Sequence, residues 1–72
     1  MINTKELKKL LIDKELTIIE LATYLGKSHQ TVRRKLNGRS PMNLWEAEQI
    51  QEILEIENRD FGFYFLSHER GE

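Results

Sequence analysis

The residues with chemistry to offer are concentrated between Leu21 and Arg39, in LATYLGKSHQTVRRKLNGR. This stretch carries Lys27, Arg33, Arg34, Lys35 and Arg39 and not one acid. Ser28, His29, Gln30 and Thr31 stand just ahead of the arginine pair. Side chains of these types read base edges in a major groove, and arginines also anchor protein interfaces. They do not make a catalytic centre. Ser28 and His29 are adjacent with no orienting acid nearby, so a nucleophile–base pair is not expected. The two histidines, His29 and His68, are far apart in a chain without cysteine, which argues against a metal site. No glycine-rich phosphate loop is present. The chain reads as non-enzymatic and as needing no cofactor.

Charge is segregated along the chain. Residues 1–20 balance Lys5, Lys8, Lys9 and Lys14 against Glu6, Asp13, Glu15 and Glu20. Residues 46–72 hold only Arg59 and Arg70 against eight acids. The net charge of −1 therefore hides a basic centre and an acidic C-terminal third, the footprint of a polar macromolecular partner. At 72 residues the chain makes one small domain, expected over 1–66 with a flexible tail at 67–72. A domain this size buries only about 60% of its unfolded surface, so self-association is a plausible source of further burial. No apolar run approaches the roughly 20 residues of a membrane-crossing helix. Absence of cysteine fits a reducing cytoplasm.

The elements that must hold the basic stretch announce themselves by their caps. Asn3 with Glu6, Thr17 with Glu20 and Asn43 with Glu46 each read as a capping pair, predicting helices over 4–13, 18–25 and 44–54. Ser28 is a cap for a short helix over 29–36, with Val32 and Leu36 inward. That helix has Thr31 where the others have a carboxylate, so its N-terminal dipole is left positive. Leu7, Leu10 and Leu11 form the buried stripe of the first helix; Ile18, Leu21, Ala22 and Leu25 form that of the second. The fourth should bury Leu44, Ala47, Ile50 and Leu54, with Trp45 as a lid on the core. DFGFYFL, from Asp60 to Leu66, contains a glycine among aromatics and is expected to be a short strand or extended arm. Its Phe61, Phe63, Tyr64 and Phe65 read as core or dimer contact. The fold class expected is all-α: a helix-turn-helix bundle of four to five helices with a short extended aromatic C-terminal segment.

The second and third helices, joined through Gly26, have the form of a helix-turn-helix unit, with small Ala22 at the crossing. In that frame Ser28, His29, Gln30, Thr31, Arg33 and Arg34 are the candidate base readers. Thr17, Lys27, Lys35, Asn37 and Arg39 flank them as candidate phosphate contacts. The segment LATYLGKSHQTVRRKLNGRSPMNLWEAEQIQEILEI resembles Cro/CI-like (XRE) helix-turn-helix regulators of temperate phages of Gram-positive bacteria. The resemblance implies a lambda-repressor-like domain that binds double-stranded operator DNA, often as a homodimer. It also implies a place in a lysis–lysogeny switch inside a bacterial host cell.

Departures from the family pattern motivate a second reading. Ile18 stands where the family often has a phosphate-touching glutamine. Ile19 and Tyr24 stand where polar or charged residues are usual, and Lys27 where an aliphatic one is. Regulators of this build also include anti-repressors, or modulators of repression, which bind the phage repressor protein. The leading expectation is thus an operator-binding regulator. The alternative is an anti-repressor using Ile18, Ile19, Tyr24, Arg33 and Arg34 on the same surface.

Overall fold

The computed structural model describes residues 2–66. The expected tail at 67–72 lies outside them. Four helices have the predicted bounds: α1 Thr4–Asp13, α2 Ile18–Leu25, α3 His29–Leu36 and α4 Leu44–Leu54. Their starts are set locally. The Thr17 hydroxyl accepts from the Glu20 amide while the Glu20 carboxylate accepts from the Thr17 amide, and Asn43 with Glu46 repeats the arrangement. Asn3 caps α1 through its side chain, accepting from the Glu6 amide at 3.4 Å. Gly26 ends α2 at φ +70°, a left-handed backbone that costs a side-chain-bearing residue about 1–2 kcal/mol.

Among the described residues there is no strand, and the expected extended arm is instead helical. A single 3-10 turn, Asn58–Asp60, leads into α5, Phe61–Phe65. The reason is tertiary. Helical winding places Phe61 and Phe65 one turn apart, with ring centroids at 4.7 Å, and buries Phe65 in the core. The Tyr64 carbonyl at the end of α5 accepts from the Asn3 amide at 2.8 Å, tying the C-terminal helix to the start of α1. These interactions outweigh the roughly 1 kcal/mol helix penalty of Gly62.

All five helices feed one core. Leu7 and Leu11 of α1 meet Leu21 and Ala22 of α2, Val32 and Leu36 of α3, Ala47, Ile50 and Leu54 of α4, and Phe65 of α5. Two expected core residues do not join it. Leu44 is 63% and Trp45 69% exposed. Glu46 and Ala47 in the same turn of α4 are buried, but Leu44 lines an open groove shared with Phe61 and Leu66 rather than the core. Trp45 lies on the outward side of α4, away from Ala47 and Ile50, and covers nothing. Phe63 is also exposed; Phe61 and Tyr64 are half-buried. No helix among the described residues is long and apolar enough to cross a membrane.

Candidate functional site

The site is the outward surface of α2, the turn Gly26–Ser28 and α3. The Gly26 and Lys27 amides return to the carbonyls of Thr23 and Ala22, at 3.2 and 3.0 Å, so the turn is closed by backbone bonds. Val32 and Leu36 are buried and fix the roll of α3. With that roll set, Gln30, Arg33 and Arg34 fall on one outward stripe, spaced i, i+3 and i+4. His29 lies beside Arg33. All four are exposed.

The other predicted base readers serve the helix itself. Ser28 accepts from the Thr31 amide at 3.2 Å and donates to the Thr31 hydroxyl at 2.9 Å, so the two side chains are occupied with each other. Among the phosphate candidates, Thr17 is committed to its capping box and Asn37 sits at the α3 C-cap with its side chain exposed. Arg39 is exposed. Arg34 donates from Nε to the Ser40 hydroxyl at 3.3 Å, which steadies the turn after α3. Arg33, Arg34 and Lys35 occupy the last turn of α3, where the helix dipole itself favours cations.

One residue of the site was read in the sequence only as a capping partner. Glu46 is buried, at 3% exposure. Its Oε1 accepts from the Asn43 amide at 3.0 Å, while its Oε2 pairs with Lys35 and lies 3.5 Å from the Lys27 ammonium. A carboxylate from α4 thus offsets one unit of charge, shared between Lys35 and the more exposed Lys27, and binds the turn and α3 to α4. Burial alone pushes the Glu46 carboxyl up. The hydrogen bond from Lys35, the Asn43 amide, the charge of Lys35 and the bond from Lys27 together outweigh it and hold the group below the usual carboxylate range.

Beside α3, Ile18 is half-buried against the core, whereas Ile19 is 59% and Tyr24 67% exposed. Ile19 and Tyr24 sit on either flank of the outward side of α2, with Thr23 and Glu20 between them. The resulting surface is mixed: a polar and cationic stripe on α3, an aliphatic and an aromatic side chain on α2. Among the described residues no group of acids and histidines is placed to hold a metal ion. No protein-family model matches this chain, and no curated protein is detectably similar to it in sequence.

Proposed function

We propose that this chain is a helix-turn-helix regulator whose α2–α3 face binds a repressor protein and keeps that repressor from its operator. The observation that carries this reading is the partial neutralisation of Lys27 and Lys35 by the single carboxylate of Glu46, on a face that leaves Ile19 and Tyr24 in solvent. Three cations of the stretch, Arg33, Arg34 and Arg39, make no ion pair among the described residues and are the ones wholly left to an outside partner. Three phosphate contacts give a salt slope of about −2.7, so DNA affinity would fall only about 40-fold between roughly 50 and 200 mM salt. Dedicated operator readers use more contacts. Exposed arginine and tyrosine side chains suit the centre of a protein interface, where both are enriched, and the exposed Ile19 adds apolar area to the same face.

Operator binding through α3 is the second reading, favoured by the free stripe of Gln30, Arg33 and Arg34. One pair of experiments separates the two. In the first, the chain is titrated into a repressor–operator complex and release of the operator duplex is followed. Ile19→Glu should abolish release, because it buries a charge at the contact. In the second, the chain is offered a randomised duplex library at low and moderate salt. An enriched site with a steep salt dependence would replace the protein-binding reading with the operator-binding one.

A further inference from the structure

We infer that Thr4 is a positioning residue of the α2–α3 face: its hydroxyl sets the end of α3 and the turn that presents Arg39. Thr4 is the first residue of α1, yet it does not cap that helix. The cap belongs to Asn3, whose side-chain oxygen accepts from the Glu6 amide. The Thr4 hydroxyl instead donates to the Leu36 carbonyl at 2.6 Å, across 32 positions of the sequence.

The Leu36 carbonyl needs that donor. A helix leaves its last carbonyls without partners of its own. Here Gly38, at φ +77°, turns the chain so that the following amides fold back onto α3. Those of Asn37, Gly38 and Arg39 reach the carbonyls of Arg33, Lys35 and Arg34, at 3.0, 3.2 and 2.8 Å. None of the three takes the carbonyl of Leu36, a residue only 1% exposed. A donor from outside the helix completes the set, and α1 supplies it. Thr4 is itself held in place, because the amide of Asn3 beside it donates to the Tyr64 carbonyl of α5 at 2.8 Å.

What this bond steadies is cationic. Arg34 and Arg39 lie on either side of Leu36, and Arg34 reaches from Nε to the Ser40 hydroxyl at 3.3 Å, within the same turn. A frayed end of α3 would leave Arg39 to be ordered only on binding, at a cost to affinity. The Thr4 bond orders the turn beforehand. The inference rests on the α2–α3 surface as the binding face, whichever macromolecule meets it.

The test compares Thr4→Val, which keeps the shape and removes the hydroxyl, with Thr4→Ser, which keeps the hydroxyl. Backbone NMR order parameters are measured on the full chain without a partner. At Gly38 and Arg39 they should be about 0.85 in the parent and in Thr4→Ser, and fall below about 0.6 in Thr4→Val. Those of Leu21 and Ala22 in α2 should not change. A bond that served stability alone would lower the unfolding midpoint and leave all these values where they are. In operator release or duplex binding, whichever the parent performs, Thr4→Val should weaken the contact roughly two- to tenfold and Thr4→Ser should match the parent. Unchanged order at Gly38 and Arg39 in Thr4→Val overturns the inference, as does a loosened turn with unaltered affinity. A parent inactive in both assays overturns the reading of the face instead, and the order parameters still decide whether Thr4 sets the turn.

Discussion

Replacing Glu46 by glutamine tests the centre of the site, because it removes a charge and almost nothing else. The amide keeps an oxygen for the Asn43 N–H, so the cap of α4 survives. What is lost is the charge-assisted bond to Lys35 and the weaker attraction to Lys27. A hydrogen bond to a charged group contributes about 1.5–3 kcal/mol. The side chain of Lys35 is 20% exposed and can turn its ammonium to water, so the larger penalty of a stranded buried charge does not apply. The expected loss at neutral pH is about 2 kcal/mol, against a total stability of roughly 4–11 kcal/mol for a chain of this length. Thermal unfolding followed by circular dichroism should show a midpoint lower by about 8–16 °C.

The pH dependence gives the sharper check. A carboxylate held below its ordinary value contributes stability above that value, 4.5, and loses it as the pH falls through the lower folded-state value. The gap between the unaltered chain and Glu46→Gln should therefore be constant near neutrality, narrow below about pH 4.5 and close in strong acid. A gap that persists undiminished in acid would mean that the destabilisation comes from packing rather than charge. A variant as stable as the parent at neutral pH would refute the ion cluster itself.

Other perturbations probe the supports of the site. Gly26→Ala meets no atom within 4 Å, so its cost should be the conformational one alone, about 1–2 kcal/mol in urea denaturation; a much larger loss would point to a clash or to a displaced α3. Thr17→Ala removes one half of the α2 capping box and should cost about 1 kcal/mol, read from the same denaturation curves. Phe65→Ala should cost about 3–5 kcal/mol and leave the domain close to unfolding, whereas Phe63→Ala, at an exposed position of the same helix, should stay within about 0.5 kcal/mol. Equal effects at 63 and 65 would return the aromatic segment to the extended form expected from its sequence.

The difference between what was and was not legible in the sequence is one of range. The bounds of α1 to α4 follow from Asn3, Thr17, Ser28 and Asn43, whose side chains bond to amides three residues on, and from Gly26, whose backbone is set at its own position. Helix α5 carries no such signal. Its Asp60 makes no side-chain cap, and what holds it is Phe65 in the core and Asn3 bonded to Tyr64 across the length of the chain. Leu44 continues the apolar period of α4, but periodicity does not say where the neighbouring elements stop. The outward stripe of α3 was readable from Val32 and Leu36. The pairing of Glu46 with Lys27 and Lys35 was not, since it depends on α4 packing beside the turn and α3, and the cap at Asn43 already gave that glutamate a sufficient reason.

That double duty of Glu46 also bears on what the face binds. In the parent chain Lys35 and, more loosely, Lys27 share one buried carboxylate, which weakens their attraction for phosphates. Glu46→Gln releases both, at a stability cost the domain can absorb. If α3 lies in a major groove, two further phosphate contacts add about −1.8 to the salt slope, and the fall in affinity between roughly 50 and 200 mM grows from about 40-fold to about 500-fold. If the face instead docks on a repressor through Ile19, Tyr24 and the arginines, the same substitution leaves operator release close to its parental value, because neither lysine belongs to that contact. The measurement is DNA affinity against salt for parent and variant side by side. A parent that already shows the steep slope of five free cations would mean that Glu46 does not neutralise the face, and the preference for a protein partner would lose its foundation.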